Sequence, residues 1–545
     1  MDPPIPYFKA SVAELLHGSA AFDYVIVGAG LAGCLLANRL SADNGTRVLL
    51  LDAGTGREDD QWRQAPECQS HLRSRFFGHG PGTIPRRDAS ISEIICPRGQ
   101  AGDYDHWRDL GNPGWSWHDV LPYFQRVEHL LDAGSEEHGE RTSEEQQAYQ
   151  PILESVRDAC VEAGIPAGGN LKQGTHTGVG YWHGQLRAFR VRARRALLHA
   201  ARSRRNLCVL TEAQAVAIVF RDKHATGLAC EREGERFRVH ANREVILCGG
   251  AIRSPQLLEC SGVGNLGRVQ ALGVHPVHEL NGVGENLQVH VETRMAFRVK
   301  KGLTLSTWVG ACLSQVRVAA RNLLTQTGPM STASSQLGIF AKSDPAQPTA
   351  NLHCRVQALW SRQFGGPPVF PALTTTVCNL RPTSRGSVHA TSSSPRAPGA
   401  IHANCLSTEA DRRALVESVC LVRRIMASKA LRAFEPDELN PGVDFQSEAQ
   451  IEHAGMELTT SIFDPVGTAR MGKDALAVVD ERLRVRGLRG LRVVDASVMP
   501  SITSSNITAP VLMIAEKAAD MILEEHTGSS TALRPQAPGS ISVIQ

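Results

Sequence analysis

The stretch that most constrains this chain runs from Asp23 to Gly54. Asp23-Tyr24-Val25-Ile26-Val27 reads as a mostly apolar strand that enters Gly28-Ala29-Gly30-Leu31-Ala32-Gly33. Cys34-Leu35-Leu36-Ala37-Asn38-Arg39-Leu40 follows with apolar residues at helical spacing, and Val48-Leu49-Leu50-Leu51 is a second strand ending at Asp52-Ala53-Gly54. Strand, glycine turn, helix and strand in so short a span are the minimal βαβ unit. Each glycine then has a task. Gly28 permits the tight turn, Gly30 lets the backbone approach a pyrophosphate, and Gly33 lets helix and strand pack closely. The helix N-terminus attracts phosphate charge. Asp52, 19 residues past Gly33, is placed to accept hydrogen bonds from a ribose. A glycine turn in an α/β core without a nucleotide is the bland alternative, and the motif alone separates neither FAD from NAD.

Further along, helical patterns occupy about 119–132 and 147–163, and residues 185–205 form an Arg/Ala-rich helix. Cys208–Leu210, Ala215–Phe220 and Arg236–His240 read as strands, and Glu244–Cys248 as a separate buried one that ends at Gly249-Gly250. From about 293 to 450 the pattern shifts to sheet runs at Leu352–Leu359 and Leu373–Leu380, with helices near 310–324 and 408–430. Residues 456–524 return to glycine-punctuated strands and a closing helix from Ala509 to about Glu525. The Ser/Pro/Gly/Thr-rich residues 527–545 are expected to be a disordered tail.

A chain of 545 residues suggests two or three domains or one large discontinuous one. The formal net charge of +3 gives no electrostatic reason to expect nucleic acid as a partner. The basic clusters Arg192, Arg194, Arg195 and Arg202, Arg204, Arg205 read as solvated faces. Thirteen cysteines, an odd number without a CxxC pair, fit buried reduced thiols such as Cys34, Cys248 and Cys378. No apolar run reaches the roughly 18–20 residues of a membrane span, and the first 22 residues lack the apolar core of a secretory signal. The expectation is a soluble, cytoplasmic protein. His275 and His278 sit in a strand-like run where an edge position explains them better than a metal.

Several spaced segments carry a family resemblance. Gly249-Gly250-Ala251-Ile252-Arg253-Ser254-Pro255-Gln256-Leu257-Leu258 resembles the second signature of the glucose–methanol–choline (GMC) oxidoreductases. Asp103–Trp107, Gly111–Ser116 and Gly282-Val283-Gly284-Glu285-Asn286-Leu287-Gln288 are similar to other family segments. Leu491–Pro500 and Asn506–Lys517 are similar to its closing flavin segment. The likeness covers about residues 22–525 in order, nearest to the choline and alcohol dehydrogenase type.

The resemblance implies an α/β fold, α+β overall: a Rossmann-like FAD-binding domain (1–150, 185–292 and 456–526) with a discontinuous substrate domain on an antiparallel sheet (151–184 and 293–455). It implies FAD as cofactor and an alcohol as substrate. A base takes the hydroxyl proton while hydride passes to the flavin, and oxygen, a quinone or another carrier takes the electrons on. Gly28, Gly30, Leu31, Ala32, Gly33, Asp52 and Ala53 would hold the nucleotide, Val216 the adenine edge, and Gly250, Asp495 and Ala496 the middle of the cofactor. Asn506, Ile507 and Thr508 would lie at the flavin, with a helix N-terminus favouring negative charge on the reduced ring.

Three departures stand out. Asp464 occupies the place of the family's catalytic histidine in Phe463-Asp464-Pro465-Val466-Gly467-Thr468, while its usual partner is present as Asn506. An aspartate with an ordinary pKa near 3.9 is a far weaker base than a histidine near 6.5, unless burial raises it. It reads either as the catalytic base or acid or as a structural carboxylate. Second, Arg86-Arg87 replace two glycines of the first signature, where side chains would crowd a cofactor, and Gly78, Gly80 and Gly82 offer a substitute turn. In the same stretch Ile91 or Ser92 stands where a histidine can link flavin covalently, arguing against such a link. Third, Val289 replaces an acid before His290, which reads as a satisfied core histidine. The leading function is an FAD-dependent alcohol dehydrogenase or oxidase with Asp464 and Asn506 at the reacting centre. The alternatives are a lyase, cyclase or decarboxylase without net redox, or a non-catalytic descendant.

Overall fold

The computed structural model describes residues 21–54, 97–133, 151–168, 177–181, 197–198, 200–201, 203–300, 337–358, 370–394, 396–462 and 464–527. The leader, Arg86-Arg87 with the neighbouring Gly78–Ser92 stretch, most of the Arg/Ala-rich helix, the 310–324 helix and the tail beyond Thr527 lie outside the described residues.

The opening βαβ unit forms as the glycine pattern predicts. β1 (Ala21–Val27) and β2 (Val48–Leu51) pair in parallel, and α1 (Leu31–Leu40) crosses between them. β1 also pairs in parallel with β7 (Glu235–Leu247), and β2 with β4 (Leu207–Leu210). β18 (Leu491–Val493) adds on the far side of β7. α9 (Thr508–Thr527) packs on α1 and on α3 (Trp117–Ala133), burying Leu512, Met513, Ile514 and Ala515.

One strand replaces the two predicted across 236–248. β7 continues through Ala241-Asn242-Arg243 and serves two kinds of neighbour. Its first half alternates exposed and buried residues and pairs antiparallel with β6 (His224–Arg232), itself hairpinned to β5 (Ala213–Arg221). Its last four residues are all buried, as expected of parallel strands covered on both faces.

A second sheet has the order β16 (Asp437–Asn440), β10 (Val291–Arg298), β13 (Ala372–Asn379), β12 (Leu352–Gln357), β11 (Leu337–Ala341), β3 (Gly178–Tyr181), with β17 (Thr459–Ser461) also on β10. Its pairings among the described residues are antiparallel, as the sequence predicts for the 293–450 region. Leu352, Cys354, Val356, Leu373, Val377, Met295 and Phe297 share one face and form a core with α4 (Pro151–Glu162), α7 (Glu409–Met426) and α8 (Glu448–Leu458). Thr408 caps α7 and a Ser447–Gln450 capping box opens α8.

Among the described residues of 464–507, the expected strands reduce to Leu491–Val493 and isolated bridges. Short turns replace them: Asp480 accepts from the backbone NH groups of Arg482 and Arg484, drawing the chain back on itself. Two small two-stranded sheets, β8 (Val263–Gly264) with β9 (His278–Glu279) and β14 (Ser387–His389) with β15 (Ala400–His402), flank α5 (Gly250–Cys260) and α6 (Leu266–Ala271). His278 Nε2 meets the Arg486 carbonyl at 3.0 Å, a structural contact.

Candidate active site

The glycine turn can be tested position by position. Gly28 has φ +107°, and a Cβ there would strike the Cys248 carbonyl. A Cβ on Gly33 would strike the Gly28 carbonyl, so this glycine sets the approach of α1 to the turn. Gly30 differs: a Cβ would meet nothing within 4 Å. Gly30 is the N-cap of α1 without a side-chain cap, and the first turn, Leu31-Ala32-Gly33, holds no acid. An uncapped helix end beside an open glycine suits an anion brought close to the backbone.

Asp52 is partly committed to the protein. Its Oδ2 accepts from Ala29 N at 2.7 Å and its Oδ1 from Gly54 N at 2.7 Å, folding Ala53 into a turn that ties the end of β2 to the glycine loop. Val216 falls at a register break between Ala215 and Ala217, where its backbone leaves the β5–β6 ladder. A cleft beside this bulge is lined by Val27, Ala215, Leu247, Gly249, Arg253 and Ser254.

Gly250, at φ +76°, also has open space where a Cβ would stand. Its NH donates to Asp495 Oδ2 at 2.8 Å, which Ser254 Oγ shares at 2.5 Å. Ser497 N and Oγ fill Asp495 Oδ1 at 2.8 and 2.5 Å. Burial raises the pKa of this carboxyl against those four bonds. Asp495 therefore clamps the start of α5 to the 3₁₀ turn beginning at Ala496.

Asp464 and Asn506, 42 residues apart in sequence, come together with Asn506 Nδ2 donating to Asp464 Oδ2 at a long 3.5 Å. Both are buried, Asp464 at 1% exposure. Backbone bonds fix the segment: Ile462 N to His290 O, and the reciprocal pair Gln288–Val466. Gln288 Nε2 and Oε1 hold Pro500 O and Ile502 N at 3.1 Å each. Ile507 and Thr508 follow Asn506 directly into α9, whose first turn also lacks an acid.

His290 is only half satisfied. Its Nε2 lies 3.3 Å from the Leu380 carbonyl, which requires the proton on Nε2. Nδ1 is a buried acceptor with no partner among the described residues. Burial lowers the ring's pKa to about 4, so it is neutral at ordinary pH.

Sequence reasoning missed two groups. Asp103, at the start of α2 (Ala101–Asp109), accepts from Ser504 N at 2.8 Å and Ser504 Oγ at 2.6 Å, positioning the loop that carries Asn506. Arg381 pairs with it at 3.2 Å from the second sheet's side. The second group is the polar face of that sheet. Register aligns Phe340, His353, Cys378 and Glu292 in one row and Arg355, Thr376 and Arg294 in the next. Glu292, 1% exposed, accepts from Arg294 Nε at 2.8 Å on one oxygen and from Arg355 on the other. Burial raises the Cys378 thiol pKa, and the Glu292 and Asp464 carboxylates add to the effect while Arg355 opposes it. Alternating polar residues in a strand ordinarily mark a solvated face, and only the tertiary fold shows this one to be buried.

Residues 22–292 match the N-terminal and 382–515 the C-terminal profile of the GMC oxidoreductases. The chain belongs to the GMC oxidoreductase family. It is 34% identical over 550 residues to the mitochondrial choline dehydrogenase of Mus musculus, covering 95% of this chain and 92% of that one. It is 32% identical over 537 residues to an alcohol dehydrogenase [acceptor] of Pseudomonas putida, covering 92% and 96%. Among solved structures, pyridoxine 4-oxidase from Mesorbium loti superposes with a TM-score of 0.75 at 27% identity, covering 93% of this chain and 99% of that one. Membership makes this GMC oxidoreductase a flavoprotein whose cofactor is FAD. The described residues fit such a group at the open faces of Gly30 and Gly250 and at the uncapped start of α1. The ten described cysteines form no disulfide with one another, and no described helix is long and apolar enough to cross a membrane. The described residues hold no group of three or more His, Cys, Asp or Glu side chains suited to a metal.

Proposed function

We propose that this chain is an FAD-dependent oxidoreductase acting on the CH–OH group of an alcohol, with Asp464 as the base. Bound FAD supplies the hydride acceptor at flavin N5. The protein's share is to hold the cofactor, position the alcohol and take its proton. Gly28, Gly30, Leu31, Ala32 and Gly33 present backbone to the pyrophosphate. Asp52 and Ala53 face the ribose, through whatever accepting capacity Asp52 retains beyond its two backbone bonds. Val216, with its backbone released from the ladder, meets the adenine edge. Gly250 offers close backbone approach. Asp495 and Ala496 act by holding that approach in place, and Asn506, Ile507 and Thr508 bring the start of α9 to the flavin end.

The observation that carries this reading is the Asp464–Asn506 pair, buried together on segments fixed by the Gln288 and Asp103 hydrogen bonds. The Asp464 carboxylate accepts the hydroxyl proton as the C–H hydride leaves, and the Asn506 amide donates a hydrogen bond to the substrate oxygen. The smaller unit, 151–184 and 293–455, supplies the substrate side through the polar face of its sheet, although β17, inside the 456–526 range, pairs with this sheet too.

The test is spectroscopic. The purified protein should show flavin absorbance, and a series of alcohols under anaerobic conditions should bleach it. Flavin that stays oxidised with every alcohol, while some product forms without an acceptor, would replace this reading with non-redox chemistry. Absence of saturable FAD binding would leave a non-catalytic protein.

A further inference from the structure

A cationic alcohol such as choline is recognised by an unpaired carboxylate or by an open aromatic face. The polar rows of the second sheet offer neither. They adjoin the reacting centre: Thr460 of β17 pairs with Glu292, and the chain then runs through Ile462, bonded to His290 O, to Asp464. Glu292 is the one acid in these rows among the described residues, and both its oxygens are taken. Arg294 donates to Oε1 through Nε, at 2.8 Å, and through Nη2, and Arg355 donates to Oε2. At 1% exposure this carboxylate cannot turn to a ligand without abandoning a guanidinium inside the protein, which is strongly destabilising. Phe340, the aromatic ring of the same row, is fully buried and stacks on His353 with ring centroids 4.4 Å apart.

What the rows do offer is donors. Thr376 lies directly opposite Arg294 on one side and Arg355 on the other. It is 5% exposed, and its Oγ1 has no hydrogen-bond partner among the described residues. A buried hydroxyl left unpaired is costly and calls for an acceptor. Arg294 spends Nε and Nη2 on Glu292, and its Nη1 has no partner among the described residues. Its side chain is 16% exposed, so a small molecule can reach it. Residues directly opposite across two strands stand about 5 Å apart at Cβ, close enough for both side chains to meet one small group. Arg294 lies two residues beyond Glu292, about 7 Å along β10, on the side away from His290 and Asp464.

We propose that Thr376 Oγ1 and Arg294 Nη1 form a specificity subsite, and that the substrate is a hydroxy acid with its alcohol at Asp464 and Asn506 and its carboxylate on these two donors. The subsite rests on the reading of this chain as an alcohol-oxidising flavoprotein and names the class of alcohol. One carboxylate oxygen accepts from the hydroxyl and the other from the guanidinium, whose bond is charge-assisted. A quaternary ammonium brings no acceptor to this place and meets a guanidinium instead. Oxidation at the alcohol end leaves the carboxylate untouched.

The first test compares three kinds of alcohol. In the FAD-loaded protein under anaerobic conditions, 4-hydroxybutanoate or 6-hydroxyhexanoate should reduce the flavin at roughly 10–100-fold lower concentration than 1-butanol or 1-hexanol, the worth of a hydrogen bond to a charged group. Choline should be the poorest of the set. Choline matching or outrunning the hydroxy acids overturns the proposal. Thr376→Val keeps the shape of the side chain and removes its hydroxyl. It should cut the preference for the hydroxy acid over the plain alcohol by about 10-fold, and Arg294→Gln should cut it further. An unchanged preference in Thr376→Val overturns the proposal even if Arg294→Gln does not fold.

The second test needs no turnover. Butanoate should raise the Tm of the FAD-loaded protein at a concentration where 1-butanol and tetramethylammonium chloride do not, and Thr376→Val should lose that rise. No shift with butanoate overturns the proposal. Failure of the underlying reading looks different: no alcohol of any class would bleach the flavin, while butanoate would still raise the Tm.

Discussion

The glycine turn at 28–33 and the buried polar face at 292–294, 353–355 and 376–378 are the two halves of the candidate site, and they were built by different rules. At the turn, backbone geometry does the selecting. A Cβ at Gly33 has no room, so local sterics dictate the residue whatever lies elsewhere in the chain. On the polar face, nothing local dictates Arg355 or Glu292. Each is held by the other across the sheet. The first region is thus fixed by its own backbone, and the second only by partners on other strands.

The largest expected effect sharpens that contrast. Asp464→Asn should lower the rate of anaerobic flavin reduction by roughly 10²–10⁴-fold, the usual worth of a general base, while leaving FAD absorbance in place. A variant that reduces its flavin at the parent rate removes Asp464 from the chemistry.

The next is a pH dependence at His290, which directly precedes the polar face's first strand. His290 is held neutral in the fold, with its pKa lowered to about 4 from an ordinary 6.5. Between those values the unfolded chain binds the proton and the folded one does not. The stability is thus whole above pH 6.5 and declines as pH falls toward 4, by about 3 kcal/mol in all. Chemical denaturation across this range should show that slope, and His290→Leu should flatten it. The same slope in both proteins would assign it to other groups.

Gly33→Ala should cost about 1–3 kcal/mol of unfolding free energy as the turn shifts to admit a methyl group, readable in apo-protein melts. Gly30→Ala is the gentlest. With φ −69° and free space, alanine fits the apo fold, and Tm should be unchanged or slightly higher. FAD titration should nonetheless show weaker binding. If both alanine variants behaved alike, the division between packing glycine and ligand-facing glycine would be lost.

The sequence revealed the first half far better than the second. Gly28, Gly30, Gly33 and Asp52 are close in the chain, and a strand and helix frame them, so spacing alone carried their arrangement. Asp464 and Asn506 were found only through the family pattern, and the structure brings them together. Arg355 escaped because Leu352-His353-Cys354-Arg355-Val356-Gln357 alternates like any half-solvated strand. Its burial depends on chain segments more than 60 residues away. Asp103 lies in one of the family-like stretches, but its bonds to Ser504 span 401 residues and no local pattern announces them. Asn242-Arg243 interrupts the apolar rhythm, so the sequence reads as two strands where the fold has the single β7. Hydrogen bonds to neighbours on both sides carry it across a bulge at these two residues.

That strand has a mechanical consequence. β7 is locked to β6 running one way along its first half and to β1 and β18 running the other way along its last, so neither set of partners lets it slip without breaking the other. β1 pairs with β7 on both sides of a bulge, Phe22 opposite Ala241 and Tyr24 opposite Glu244, so the extra residue at Asn242-Arg243 is taken up there and Val245 and Leu247 keep their places beside Val25 and Val27. The strand acts as a ruler, and its register beyond the bulge sets the Gly249-Gly250 loop beside the glycine turn.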